Sequence, residues 1–162
     1  MILNQQRRVR VPVQALDEFL ARACKLLRVP LDAVTVCLVT NAEIARWNRV
    51  YRGKDRPTDV LSFPVEANAK PRRAQRKDSG DYRDYRDYLG DIAIAPEVAR
   101  RNAKQFGRAF GDEMRILILH GILHLMGYDH ETDTGQMERR EKHLRRSLGL
   151  TDNGLANDRG FD

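Results

Sequence analysis

Three of the four histidines of this chain fall within eleven residues, and their spacing is typical of a metal site. His120 and His124 are four residues apart, so on a helix they would lie on the same face. His130 follows six residues later, where a continuing helix would carry it away from that face. Gly127 is a residue type that ends helices in a left-handed turn, so the chain could return and bring His130 to the other two. Three imidazoles with one open position are the pattern of a catalytic zinc site.

The segment before the histidines predicts the helix that carries them. Residues 114–126 are apolar almost all round, which is typical of a buried central helix. Asp112 is the expected N-cap of this helix, with Glu113 in its first turn. Histidines inside such a helix need a hydrogen bond or a metal, so a pair of core histidines satisfied by neighbours is the alternative to ligation.

The spacing H-x-x-x-H-x-x-G-x-x-H also matches the metzincin protease signature, with one difference. Those proteases carry a glutamate general base directly after the first histidine, where this chain has Gly121. A peptidase would therefore need a relocated base, and it is kept as one alternative. Gly121 could leave space beside the metal for a phosphodiester or allow close packing, and the sequence leaves both possibilities open.

The whole string HGILHLMGYDH at 120–130 is similar to the motif of the YbeY family, bacterial metal-dependent endoribonucleases of ribosomal RNA maturation. Two further blocks resemble this family in the same order, NRVYRGKDRPTDVLSFP at 48–64 and LGDIAI at 89–94. The segment 67–88 departs from the family pattern because it is longer and more charged.

The resemblance implies roles for residues of two of these blocks. His120, His124 and His130 would bind one zinc ion, with nickel or another divalent metal also possible. Arg52 would be the essential basic residue near the metal. The implied activity is cleavage of single-stranded RNA in 16S rRNA 3′ end maturation and ribosome quality control, with the ribosome or its small subunit as partner. A ribosome-assembly factor that binds RNA without cleaving it, and whose zinc is structural, is the other alternative.

The chemistry expected at such a site is phosphodiester cleavage. A metal on three histidines can polarise a phosphoryl oxygen and acidify water, and Arg52 would stabilise the charge that develops. Metal-bound hydroxide itself, Asp129, Asp91, Asp59 and Glu131 are the candidates for the general base, and Asp129 or Asp91 could instead be a carboxylate that orients a histidine.

Composition limits the partners. A chain of 162 residues with net charge +6 favours one domain and a polyanionic partner, although genomic composition bias could also explain an excess of arginine.

The sequence has no apolar run that could span a membrane, no signal peptide and no nucleotide-binding glycine motif, so a cytoplasmic protein without a nucleotide cofactor is expected. Cys24 and Cys37 are expected to be reduced. Basic residues that could lead RNA to the site include Arg46, Arg49, Lys54, Arg56, Arg100, Arg101 and Lys104.

Periodicity predicts the element order βαβαββααα, an α+β domain over residues 1–150 with a mixed four-stranded sheet and about five helices. The expected strands are 7–11, 33–39, 58–63 and 89–95. The expected helices are 13–27, a helix capped by Asn41, 96–103, the histidine helix, and a surface helix over 132–148. Residues 67–88 are expected to be a mobile loop, either an RNA-contacting arm with Tyr82, Tyr85 and Tyr88 or a solvated insertion, and 151–162 a disordered tail.

Overall fold

The computed structural model describes residues 1–65, 88–129 and 131–150. Within these residues the elements follow the predicted order, and the predicted α+β fold with a mixed four-stranded sheet is confirmed. Apart from Tyr88, the predicted loop 67–88 and the predicted tail 151–162 lie outside the described residues. The elements are β1 Ile2–Asn4, α1 Val13–Leu27, β2 Val34–Leu38, α2 Asn41–Arg52, β3 Val60–Pro64, β4 Gly90–Ile94, α3 Pro96–Gln105, α4 Phe110–Leu125 and α5 Gln136–Ser147.

The sheet has the strand order β1-β2-β4-β3. β1 and β4 both run parallel to β2, while β3 pairs antiparallel with β4 and forms one edge. Alternate side chains of β4 point to opposite faces. Ile92 therefore joins the larger core with α1 and α4, and Ala93 joins a smaller core with Ile44 of α2.

α4 is the centre of the larger core. Every residue from Ile116 to Leu123 is buried, because α1, β3 and β4 all pack against this helix. Such a helix is apolar on all sides, as the sequence predicts. No helix in the described parts of the chain has the length and apolarity that a membrane span requires.

The predicted strand at 7–11 is wrong, since the first strand is Ile2–Asn4. In its place the Gln6 side chain donates to the Val9 carbonyl oxygen and accepts from the Val9 amide, both at 2.9 Å. A side-chain amide thus satisfies backbone groups that a strand partner would otherwise satisfy. Alternation over five residues could not reveal this local competition.

Three helix starts also differ from the prediction. α2 is capped by Thr40, not Asn41, through a capping box with Glu43 in which each side chain bonds the other residue's backbone amide. α4 begins at Phe110, so Asp112 lies inside its first turn. α5 begins at Gln136, and it is not simply a surface helix, because it buries Met137, Glu141 and Leu144.

The two cysteines are free in the structure, as the sequence predicts. Burial raises the pKa of the Cys24 thiol, and burial followed by the nearby Asp91 carboxylate raises that of Cys37. Both thiols are therefore held in the neutral form at ordinary pH.

Gly121 brings α4 close to β4. A Cβ at this position would lie 2.8 Å from two carbon atoms of the Ile92 side chain. The Ser62 hydroxyl also donates to the Gly121 carbonyl oxygen at 3.2 Å. Of the two roles left open by the sequence, the structure shows close packing of helix on sheet.

Gly121→Ala should destabilise the fold by about 1–2 kcal/mol, because the overpacking at Ile92 outweighs the better helix propensity of alanine. Gly111→Ala on the same helix is the matched control, since the nearest atom to its added Cβ is the flexible end of Arg115 at 3.1 Å. Thermal unfolding followed by circular dichroism would compare the two variants. Equal stability of Gly121→Ala and the wild type would contradict the packing role.

Candidate metal centre and cleft

His120 and His124 lie one turn apart on α4 and bring their ring nitrogens together. Their Nε2 atoms are 3.0 Å apart, and the ring centroids are separated by 4.6 Å. Two nitrogens bound to one tetrahedral zinc ion at its usual bond length lie about 3.3–3.4 Å apart. The two imidazoles therefore converge nearly as ligands of a single ion would.

Glu141 of α5 holds the other side of the His120 ring. Its Oε2 lies 3.1 Å from His120 Nδ1, and its Oε1 accepts from Arg145 Nη2 at 2.8 Å. An ionised carboxylate can only accept here, so this hydrogen bond requires a hydrogen on Nδ1, and the Nε2 lone pair of the neutral ring then faces His124. This arrangement of carboxylate and histidine is the one that orients metal-binding imidazoles.

Glu141 was not among the residues predicted from the sequence. The signal that could have found it is its position on α5, because Met137, Glu141 and Leu144 share one helical face. A carboxylate between two buried apolar positions indicates a polar partner inside the core.

Gly127 ends the histidine helix as predicted. Its φ is +96°, its amide donates to the His124 carbonyl oxygen at 3.0 Å, and the Tyr128 amide donates to that of Leu123 at 3.1 Å. These two hydrogen bonds form the left-handed helix end favoured by glycine. The chain therefore turns back after His124, which is the geometry that the predicted third ligand requires.

His130 itself lies outside the described residues. Across residues 1–65, 88–129 and 131–150, no three His, Cys, Asp or Glu side chains form a group that could hold a metal ion. The described pair nevertheless fits a metal, because two imidazole nitrogens converge and one of them is fixed by a carboxylate. Imidazole donors suit zinc, nickel and copper.

A cleft of about 690 Å³ opens beside the two histidines. One wall is the end of α4 and the turn after it, with Tyr128, Asp129 and Glu131. A second wall is formed by α2 and the loop to β3, and includes Asn48, Arg52, Arg56 and Asp59. A third wall is the last part of α3, with Asn102, Gln105 and Phe106.

Arg52 lies in the same cleft as the histidines. It is the last residue of α2, its side chain is 36% exposed, and its Nη2 is 3.7 Å from Glu131 Oε1. Glu131 is 58% exposed, so this ion pair is weak. An anionic ligand could therefore take the place of the Glu131 carboxylate at the guanidinium group.

The other predicted basic residues divide into two groups. Arg56 lines the cleft with Arg52. The others do not line it, and they are Arg46, Arg49, Lys54, Arg100, Arg101 and Lys104. The three on α3, Arg100, Arg101 and Lys104, are exposed. The α3 side chains that line the cleft next to them are Asn102 and Gln105.

The two predicted carboxylates also separate. Asp129 lines the cleft, where its Oδ1 accepts from the Glu131 amide at 3.0 Å. The prediction that Asp91 serves the histidine site is corrected by its position on β4. Asp91 lies on the face of this strand opposite to Ile92 and α4, and it accepts from the Tyr88 hydroxyl. Burial, followed by this hydrogen bond, raises the pKa of Tyr88. Asp91 is therefore part of a polar group on the other side of the sheet.

Asp59 is a carboxylate that lines the same cleft as the histidines. Its Oδ1 accepts from the Val60 amide at 2.8 Å, and its Oδ2 accepts from Asn102 Nδ2 at 3.2 Å. The bond to Asn102 joins the loop before β3 to α3, so it closes the cleft at that corner. Helical spacing alone could not place α3 there, because the contact depends on how α3 packs against α4 and β3.

Comparisons with known proteins agree with one another. The family model described as Endoribonuclease YbeY matches residues 1–149 of this chain. An Endoribonuclease YbeY of Koribacter versatilis (strain Ellin345) is 39% identical over 150 residues, which are 93% of this chain and 86% of that protein. Another of Desulfitobacterium hafniense (strain Y51) is 42% identical over 138 residues, covering 83% and 84%.

A solved structure shows the same fold. The solution structure of a Thermotoga maritima protein matches with a TM-score of 0.56 and 31% identity, covering 91% of this chain and 89% of that chain. The family match includes both α4 and the cleft walls of α2 and α3. With relatives of similar length at about two-fifths identity, the chain belongs to the endoribonuclease YbeY family.

Proposed function

We propose that this protein is a metal-dependent endoribonuclease that cleaves single-stranded RNA. The observation that carries the proposal is the convergence of His120 and His124 in one cleft with Arg52. A nitrogen donor set and a guanidinium group facing the same space suit a phosphodiester, which needs both an electrophile and charge stabilisation. Membership of an endoribonuclease family supports RNA as the substrate.

The proposed natural substrate is ribosomal RNA, with 16S rRNA 3′ end maturation and ribosome quality control as the processes and the small ribosomal subunit as the partner. The support for this finer assignment is the resemblance of blocks 48–64 and 120–130 and the net charge of +6. The cytoplasmic location stays a prediction of the sequence.

The proposed metal is one zinc ion, with nickel or another divalent ion as the alternative, held by His120, His124 and His130. When bound, such an ion supplies Lewis acidity to a phosphoryl oxygen and to water. Glu141 keeps the hydrogen on His120 Nδ1, so that the lone pair of Nε2 stays available to the metal ion. Arg145 in turn holds Glu141 in place.

Arg52 is the proposed catalytic residue of the protein itself. Its guanidinium group binds the phosphoryl oxygens in place of Glu131 and stabilises the negative charge that they gain in the transition state. Arg56, on the same wall, adds positive charge that attracts the phosphate backbone.

The proton acceptor has three candidates by position, because Asp59, Asp129 and Glu131 all line the cleft. Position 121, where metzincin proteases have their base, packs against Ile92 of the sheet. A side chain there would not face the cleft, so the geometry gives no support to the peptidase alternative.

Purified wild-type protein should cleave end-labelled single-stranded RNA, and His124→Ala should not, because it removes one of the converging nitrogens. His143→Ala is the matched control, since His143 is an exposed histidine of α5 outside the cleft. Cleavage is read on denaturing gels after identical purification. Equal cleavage by the wild type and His124→Ala would refute the metal-centred nuclease. Tight RNA binding without cleavage by the wild type would instead select the assembly-factor alternative.

Arg52→Ala should lower kcat for RNA about 100- to 1,000-fold, the usual loss when one transition-state donor is removed. Arg52→Lys should recover only part of this activity, because a lysine cannot bind two phosphoryl oxygens in the same fork. Arg49→Ala, on the same helix but outside the cleft, should keep nearly full activity. Similar losses in Arg49→Ala and Arg52→Ala would show that only overall charge matters.

Glu141→Gln should weaken metal binding about 10- to 100-fold, because a neutral amide orients His120 less well than a carboxylate does. Glu138→Gln is the control on the same helix, since Glu138 is half-exposed and pairs with Lys142 on the surface. Competition with a chelating dye measures the affinity without reference to activity. An unchanged affinity in a folded Glu141→Gln protein would remove Glu141 from the site.

A further inference from the structure

Phe106 is a large apolar side chain that borders the cleft without belonging to the core. It directly follows α3, is half-buried, and lines the same cleft as the histidines. Neither of the two hydrophobic core clusters includes it, nor is it among the residues packed against them. Its ring therefore needs an explanation other than the stability of the core.

The turn after Phe106 fixes the position of its ring. Gly107 has φ +65°, and the Arg108 amide returns to the Ala103 carbonyl oxygen at 2.8 Å, so the chain folds back on the helix end. The Arg108 guanidinium carbon then lies over the ring, 5.3 Å from its centroid. This is a cation–π contact that covers one face of the ring.

Arg108 is itself held firmly. Its Nη1 is 3.0 Å from Glu113 Oε2, and both side chains are almost completely buried. A buried, hydrogen-bonded ion pair has little freedom to move, so the ring that packs on it is preorganised. Because the Arg108 guanidinium group is paired with Glu113, it is better suited to packing on the Phe106 ring than to binding a phosphate.

Two amide side chains line the same cleft as this ring. Asn102 lies one helical turn before Phe106 and donates to Asp59, and the exposed Gln105 directly precedes Phe106 in the chain. Amides can both donate to and accept from the edges of nucleobases. The Asp59 carboxylate makes this corner unfavourable for a phosphate, while it can accept hydrogen bonds from base amino groups.

We propose that Phe106, Asn102 and Gln105 form a nucleobase subsite, in which one unpaired base of the RNA stacks on the Phe106 ring while the adjacent phosphodiester reaches the histidines. This inference rests on the proposed RNA substrate. The cleft of about 690 Å³ is far larger than a phosphate group requires and is of the size that holds a whole small ligand. A base can reach an aromatic ring only when it is not stacked in a duplex, so the subsite selects single-stranded RNA.

The test uses short RNAs of one sequence, just long enough to span the cleft, each with an abasic ribose at a different position. Binding is measured by fluorescence anisotropy and cleavage by kcat/KM for four proteins, namely the wild type, Phe106→Ala, Phe106→Tyr and Leu31→Ala. Leu31 is an exposed apolar residue outside the cleft and is the control for loss of apolar surface. Thermal unfolding checks that Phe106→Ala remains folded.

For the wild type, loss of the base at one position should weaken binding about 5- to 150-fold, the range of a single base–aromatic stack. Phe106→Ala should bind the complete RNA as weakly and should be indifferent to that base, whereas Phe106→Tyr and Leu31→Ala should behave like the wild type. The subsite is overturned if Phe106→Ala keeps the wild-type affinity or keeps the same abasic penalty, or if the wild type binds none of the RNAs.

The two proposals fail in different ways. If RNA binding depends on Phe106 but no protein cleaves RNA, the nuclease proposal falls and the subsite stands. If the wild type cleaves RNA and Phe106→Ala behaves identically on every substrate, the nuclease stands and the subsite falls.

Discussion

A buried imidazole has to be hydrogen-bonded or coordinated, and this requirement determines how α4 and α5 meet. His120 is 2% exposed within a helix that is apolar on nearly every side. Glu141 hydrogen-bonds to Nδ1 of this ring, and the other ring nitrogen, Nε2, is directed at His124. Arg145 in turn holds the Glu141 carboxylate. Glu141 and Arg145 of α5 and His124 of α4 therefore stabilise one orientation of the His120 ring. The cleft and its chemistry depend on this orientation, because a rotated ring would direct its donor into the core.

The surrounding fold makes that arrangement rigid. α4 lies directly on the sheet, since Gly121 has no side chain to separate the helix from Ile92. The same helix carries both histidines to the point where Gly127 turns the chain back. The histidine pair is thus supported by the sheet on one side and by α5 on another. Both histidines lie on a buried helix, and precise placement of this kind is what electrostatic catalysis requires.

The cleft joins three walls of different chemistry. The end of α4 offers imidazole nitrogens, α2 and its loop offer guanidinium groups, and the end of α3 offers an aromatic ring with amides. Under the proposed function these walls correspond to the metal, the phosphate and the base. Since each wall belongs to a different helix, recognition of the base can be altered at Phe106 without disturbing His120 or Arg52.

Local features were predictable from the sequence, and contacts between distant segments were not. The i, i+4 histidines, the glycine after them and the order of elements follow from spacing and periodicity. The helical face of α5 indicates a buried Glu141, but its partner His120 and the α3 wall depend on which helices pack together, and no local pattern states that. The strand wrongly predicted at 7–11 fails for a related reason, since the Gln6 side chain satisfies the Val9 backbone. Asp91 has the right residue type but faces the other side of the sheet, which its strand register decides.

Under the proposed function, one metal ion at the histidines is responsible for RNA cleavage. This is tested by stripping the wild-type protein of metal and adding zinc back in measured amounts, following bound metal by mass spectrometry and RNA cleavage on the same samples. Cleavage should rise in proportion to bound zinc and reach its plateau at one ion per chain. Full cleavage by the metal-free protein, or a plateau unrelated to the bound metal, would contradict it.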